Sequence, residues 1–175
     1  MKFFSDLRLL LLGAWLGAAV FFIGTAQAAF AVLPQRELAG VIVNRNITIL
    51  NYAGIVIAVI LIITSLIAAS KMNQFWLWVE RFLLLAVAAA CAIGQFVIGF
   101  WMASIRTQIG KPIEEAAADD PLRLQFDTLH HWSEWVLLAG MIAALLAFFI
   151  IANRKFRPLK SAGADIYDFQ KEFKV

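Results

Sequence analysis

Four long apolar runs, separated by short polar segments, dominate the distribution of hydrophobic and polar positions along the chain. A run of about 20 apolar residues crosses the roughly 30 Å hydrocarbon core of a bilayer as a helix, at about 1.5 Å per residue. Strands of a membrane barrel would alternate apolar and polar side chains, and these runs do not. The pattern therefore predicts an all-α integral membrane four-helix bundle with spans over 9–33, 47–70, 82–105 and 132–152.

The composition agrees with this interpretation. Of the 175 residues, 62% are hydrophobic and 15% are charged, whereas soluble domains are nearer 45–50% and about 25%. We expect one four-span domain over 1–153 and a basic, aromatic cytoplasmic tail over 154–175. The net charge of +3 indicates no nucleic-acid partner. The single cysteine, Cys91, excludes an internal disulfide and is expected in the core.

The first span resembles a signal peptide, because Lys2 and Arg8 precede an apolar stretch and Ala26-Gln27-Ala28 matches a small-x-small cleavage site. The apolar run is longer than the usual 7–15-residue signal core and continues to Pro34. We therefore expect a retained helix.

The segments between the spans also carry predictions. Residues 35–46 alternate polar and apolar positions, which favours a short interfacial segment or a turn. Asp120 followed by Pro121 is typical of a helix start, so the last helix is predicted to begin there. Small-residue pairs at a spacing of four predict close helix contacts. These pairs are Gly13 with Gly17, Gly24 with Ala28, and Ala86 with Ala90 and Gly94.

Lysine and arginine set the expected orientation. Ten of the 15 lie on the side of the two termini and five on the other side. The positive-inside rule then predicts that both termini are cytoplasmic. In a bacterium this places the protein in the inner membrane as a multi-pass protein, with the two longer loops in the periplasm.

Polar side chains within the spans gather towards the predicted outer side, while the inner half has little besides Thr64 and Ser65. Polar groups in lipid must find partners, so the outer cluster either forms hydrogen bonds between helices or lines a cleft that accepts a ligand. Its tentative ligand-binding members, with the two histidines beside it, are Gln27, Asn51, Gln95, His130, His131 and Glu134.

The two histidines lie at the outer start of the last span. On a helix, Asp127 and His131 are four apart, as are His130 and Glu134, so each pair can meet. Three roles stay open: a hydrogen-bonded structural pair, an axial ligand for a tetrapyrrole from His130 or His131, and a metal or proton site. Neighbouring residues point about 100° apart, so the two histidines do not readily share one metal.

Several short motifs follow one another along the chain: Gly13-Ala14-Trp15-Leu16-Gly17, Leu33-Pro34, Arg81, Ile105-Arg106, and Phe126, His130 and Ser133 spaced F-x-x-x-H-x-x-S. In this order they resemble the transmembrane-protein-205-like family, small four-span membrane proteins of unknown function. The resemblance covers roughly 7–152 and implies a four-helix membrane domain without an established activity. The chain has a more distant likeness to four-span copper-uptake or haem-metabolism families. That likeness is weakened because those families carry a histidine in the first span and this chain has none there.

No catalytic constellation is recognisable, and we do not expect an enzyme. The leading hypothesis is an accessory or interaction subunit of a larger membrane assembly, in contact with lipids and with other membrane proteins or a second copy. One alternative is a protein that handles a small ligand or metal at an outer-leaflet polar site. The other is a tetrapyrrole-binding subunit of an electron-transfer complex. The sequence requires no cofactor.

Overall fold

The structure, a computed structural model, describes residues 2–67 and 74–153. Within these ranges it contains no strand and has four helices long and apolar enough to cross a membrane. The predicted all-α membrane fold is thereby confirmed. The expected tail over 154–175 lies outside the described residues. The helices are α1 (Lys2–Val32), α2 (Arg36–Ile67), α3 (Gln74–Ile109, π-helical over Ile93–Ile98) and α4 (Pro121–Ala152).

Helix α2 begins earlier than the sequence pattern predicts. Residues 35–46 were expected to form an interfacial segment or a turn, but α2 is continuous from Arg36. The expectation was wrong because no proline interrupts this stretch and polar side chains bond along the helix. The Thr48 hydroxyl, for example, donates to the Asn44 carbonyl at 2.8 Å. The turn between α1 and α2 is therefore confined to the three residues around Pro34.

Both ends of the α3–α4 connection follow ordinary capping chemistry. Gly110 adopts the left-handed conformation (φ 65°), and its N–H donates to the Arg106 carbonyl at 3.2 Å, which ends α3. Asp120 Oδ1 accepts the Leu122 N–H at 2.8 Å, and Pro121 is the first helical residue. The predicted start of the last helix is confirmed.

The four helices pack as a ring in which each contacts its two neighbours. The hydrophobic core is concentrated in the half of the bundle that contains the start of α1 and the end of α4. Trp15, whose environment the sequence left open, is buried, and its Nε1–H donates to the Leu50 carbonyl at 3.0 Å. Cys91 is buried, as expected. The other core residues include Leu12, Ala19, Ala58, Leu61, Leu84, Val87, Ala144, Ala147 and Ile151.

Close helix packing uses some of the predicted small residues, among them Gly13, Ala90 and Gly94, together with two glycines that the spacing did not indicate. A Cβ added at Gly54 would lie 2.7 Å from Trp15 Nε1, and one at Gly140 would lie 3.1 Å from the Ala90 Cβ. Gly17 and Gly24, expected to mark contacts, have no such neighbour within 4 Å in the described part of the chain. Spacing alone shows which helix faces are smooth, but not which of them a neighbouring helix covers.

A buried ion pair joins α1 and α3 in the half of the bundle that contains the start of α1 and the end of α4, which is the predicted inner half. Arg8 Nη2 donates to Glu80 Oε1 and also to the Leu61 carbonyl of α2 at 2.9 Å. Arg8 is 4% exposed and Glu80 is fully buried. Beside this pair, Arg81 Nε donates to Ser65 Oγ at 2.9 Å, and Arg81 Nη2 donates to the Ser65 carbonyl at 3.0 Å.

The inner half is therefore not the largely apolar region that the sequence suggested. Arg8 was assigned to a basic flank of the membrane, whereas it lies inside the bundle. Its partner is 72 positions away along the chain, so no local pattern indicates the pairing. Together the two arginines tie the inner ends of α1, α2 and α3 to one another.

We expect Arg8→Met to lower the free energy of unfolding by about 3–5 kcal/mol, because it removes the guanidinium that neutralises the buried Glu80 carboxylate. Combining it with Glu80→Leu should recover most of that loss, since apolar replacements of buried ion pairs are often neutral. Denaturant titration in one detergent measures both variants. Arg45→Met, at an exposed position of α2, is the control. An equal loss in Arg8→Met and Arg45→Met would contradict a structural role for the pair.

Candidate functional site

A large cleft separates the outer halves of the helices, at the end opposite the ion pair. Its volume is about 1340 Å³, and all four helices and the α3–α4 connection contribute to its lining. Five of the six tentative ligand-binding residues line it, and so do four of the five motif residues that the family resemblance singled out, with His130 belonging to both sets. The lining residues from these two sets are Gln27, Asn51, Gln95, His130 and Glu134, with Arg106, Phe126 and Ser133.

Two predicted residues lie elsewhere. His131 is not part of the cleft lining, and its side chain is 71% exposed. Arg81 lies at the inner end, where it bonds to Ser65. The position of Arg81 favours a role in helix packing rather than in the cleft.

The cleft exists because the helices diverge beyond the core. In α1, burial ends at Ala19, and the side chains of Val20 and Phe21 that follow are exposed. In α3, the π-helical stretch Ile93–Ile98 borders the cleft. There the Gly99 N–H donates to the Gly94 carbonyl, a spacing of five residues. Single π turns inserted in α-helices are frequent at functional sites. This one carries Gln95 in the cleft wall.

Asn51 lies at the inner limit of the cleft. It is 5% exposed, and a Cβ added at Gly94 would lie 3.4 Å from its Nδ2. Among the described residues its amide has no hydrogen-bond partner. Asn51 and Ser133 also line a second cavity of about 20 Å³, a space that suits about one water molecule. A buried amide without a protein partner indicates a position where water or a ligand supplies the hydrogen bonds.

The motif residues Phe126, His130 and Ser133 form one face of α4. The rings of Phe126 and His130 are parallel, with centroids 6.5 Å apart. Ser133 Oγ donates to the His130 carbonyl at 2.6 Å. The Arg106 guanidinium of α3 lies over the Phe126 ring, 5.1 Å from its centroid. The spacing F-x-x-x-H-x-x-S thus places an aromatic surface at the cleft wall, and Arg106 of α3 adds a cation beside it.

The histidines share one carboxylate. His130 Nε2 is 3.6 Å from Glu134 Oε1, so the predicted His130–Glu134 pair is confirmed. His131 Nδ1 is 3.4 Å from Glu134 Oε2, and His131 Nε2 accepts the Trp135 Nε1–H at 3.1 Å. The contact between Asp127 and His131 that the spacing allows is not made among the described residues, because His131 lies beside Glu134 instead. Within the described residues, no group of three His, Cys, Asp or Glu side chains is arranged to hold a metal ion.

The α3–α4 connection is fixed to the mouth of the cleft by two polar contacts. Arg36 Nε of α2 is 3.5 Å from Glu114 Oε1. Arg123 Nη1 donates to the Ala116 carbonyl at 2.7 Å. Glu114 and Arg123 both line the cleft, so this connection forms part of its outer wall.

Residues 10–111 match the family model described as a domain of unknown function, DUF4149. The chain belongs to this family. The matched DUF4149 segment contains most of α1, all of α2 and α3, and the π-helical turn, but not α4 with its histidines. No curated protein and no solved structure matches the chain. The family description assigns no activity, and the cleft is the feature of the described chain that bears on function.

We expect His130→Ala to destabilise the protein more than His131→Ala. His130 stacks on Phe126 as well as meeting Glu134, and an aromatic pair contributes about 0.5–1.5 kcal/mol beyond its area. His131 is largely exposed, and its loss leaves Glu134 its contact with His130. Melting temperatures of the two variants in one detergent compare them. An equal or larger loss for His131→Ala would mean that the stacked face does not stabilise α4.

Proposed function

We propose that the protein binds a small amphiphilic molecule in the outer-half cleft. The observation that carries the proposal is convergence: polar side chains from four helices, scattered over more than 100 positions of the sequence, line one cleft. If these side chains served only to join the helices, each would have a hydrogen-bond partner in the protein. Asn51 is buried and has no such partner among the described residues.

The lining has the two kinds of surface that an amphiphile requires. Charged side chains lie towards the mouth, amide side chains extend from there to Asn51 at the inner limit, and large apolar side chains form the rest of the wall. A volume of about 1340 Å³ exceeds the roughly 300–1,000 Å³ of ordinary small-molecule pockets, which favours a ligand with a hydrocarbon chain. The apolar lining includes Phe22, Phe30, Phe96, Phe100, Met102, Leu137 and Met141.

The setting of this activity follows from the distribution of Lys and Arg. With both termini cytoplasmic, the cleft opens towards the outer leaflet, which in a bacterium is the periplasmic leaflet of the inner membrane. This setting agrees with the resemblance to the transmembrane-protein-205-like family, whose members are four-span membrane proteins.

An accessory subunit of a larger membrane assembly is the second candidate. Gly17 and Gly24 support it, because no other helix of the described chain approaches within 4 Å of a Cβ added at either position. Small residues let a partner helix approach closely. A tetrapyrrole held by His130 would be a third type of occupant, since His130 lines the cleft.

A variant that fills the cleft tests the proposal. Ala103 is exposed and lines the cleft, whereas Ala89 is exposed on the same helix outside it. We expect Ala103→Trp to lose a bound amphiphile that the unmodified protein and Ala89→Trp both retain, because the indole ring occupies the ligand volume. Native mass spectrometry after purification in a mild detergent measures the bound mass.

The same preparation separates the alternatives. Equal bound mass in all three proteins, or none in any, would contradict the cleft as a binding site. A visible absorption band that His130→Ala removes would point instead to a tetrapyrrole. A stable complex with a different protein, unaffected by Ala103→Trp, would favour the accessory subunit.

A further inference from the structure

We infer that the cleft selects a zwitterionic phospholipid of the phosphoethanolamine type, with its phosphate on Arg106 and its ammonium group on Glu37. This inference rests on the proposed function and adds the chemistry of the ligand's head group. It follows from the fact that these two charged side chains line the cleft and form no ion pair with each other.

Arg106 presents hydrogen-bond donors that nothing in the described chain uses. Its guanidinium stacks on Phe126, and in the described ranges it makes no hydrogen bond or ion pair. Opposite it on α2 is Gly40, where an added Cβ would lie 3.6 Å from Arg106 Nη2. A side chain much larger than glycine's would compete for the space of the guanidinium. Planar guanidinium donors match the oxygen atoms of a phosphate.

Glu37, on α2, is an acidic counterpart that also lines the cleft. It lies three residues before Gly40, on the same face of α2, and its charge interacts with that of Arg106. The two side chains nevertheless form no ion pair within the described residues. A cation and an anion therefore line the same cleft without pairing with each other. A head group with a phosphate and an ammonium can bind both at once, whereas a purely anionic head group would be repelled by Glu37.

The remaining charges of the cleft support a ligand without net charge. Arg36 and Glu114 pair with each other, and Arg123 is bonded to a backbone carbonyl. Four basic and four acidic side chains line the cleft in total, so the lining is electrically balanced. They are Arg36, Arg106, Lys111 and Arg123, with Glu37, Glu114, Asp127 and Glu134.

Below the charges, amide side chains lie at the depth where the ester groups of a phospholipid would lie. Gln27 is five residues from the end of α1 and Asn44 is eight residues from the start of α2. At 1.5 Å per residue these positions are about 8 and 12 Å from the helix ends. Both side chains line the cleft and can donate to ester carbonyls. The apolar wall then accommodates the acyl chains.

The test is lipid retention from a defined mixture. The protein is exchanged into vesicles with equal amounts of phosphatidylethanolamine, phosphatidylcholine and phosphatidylglycerol, re-extracted, and its bound lipid quantified. We expect retention of phosphatidylethanolamine about tenfold above phosphatidylcholine, because only a primary ammonium donates hydrogen bonds to Glu37, and a charge-assisted bond supplies about that factor.

Two variants separate the two contacts. Glu37→Gln should keep bound phospholipid but lose the preference for ethanolamine over choline. Arg106→Gln should reduce retention of all three lipids. Arg45→Gln and Glu115→Gln, at exposed positions outside the cleft lining, should change neither quantity. Melting temperatures verify that each variant remains folded.

The outcomes distinguish this inference from the proposed function. If the unmodified protein retains the three lipids equally, or if Glu37→Gln leaves the preference intact, the head-group assignment is wrong. In that case the loss of bound lipid in Ala103→Trp still decides whether the cleft binds an amphiphile. If Ala103→Trp retains as much lipid as the unmodified protein, both proposals fail together.

Discussion

The architecture depends on one buried interaction, the Arg8–Glu80 ion pair at the inner end of the bundle. Two charges removed from water are tolerated when they neutralise each other, and the Leu61 carbonyl supplies one further acceptor for Arg8 Nη2. Arg8 Nε and Nη1 have no hydrogen-bond partner among the described residues, so the opposite charge of Glu80 contributes most of the compensation. The pair holds α1, α2 and α3 at fixed positions, and the Arg81–Ser65 and Trp15–Leu50 hydrogen bonds add further polar contacts between these helices. Large core residues and the close approach at Gly54 then complete the packing of that half.

An inner half fixed in this way allows the outer half to diverge. Burial along α1 stops at Ala19, and the π-helical stretch Ile93–Ile98 changes the register of α3 at the point where the cleft begins. The molecule therefore has a closed end that supplies stability and an open end that carries unpaired polar groups. In a membrane, unpaired polar groups require partners, and a ligand bound in the cleft would supply them.

The sequence predicted those features that depend on local chemistry. Span lengths, the Asp120 cap and the concentration of polar residues in the outer half are all local properties, and the structure contains them. The Arg8–Glu80 pair is different, because it joins residues 72 positions apart whose charges resemble ordinary membrane flanks. The same limit explains the uncovered Gly17 and Gly24, since a helix face does not reveal which neighbour it meets.

Photo-crosslinking to lipid tests the binding cleft most directly. A photoreactive amino acid at Met102 lies in the cleft, and one at Leu85 lies on an exposed part of α3 outside its lining. After detergent extraction has removed the surrounding bilayer, irradiation should join phospholipid to the protein from position 102 and not from position 85. Equal labelling at both positions, or none at 102, would contradict the account.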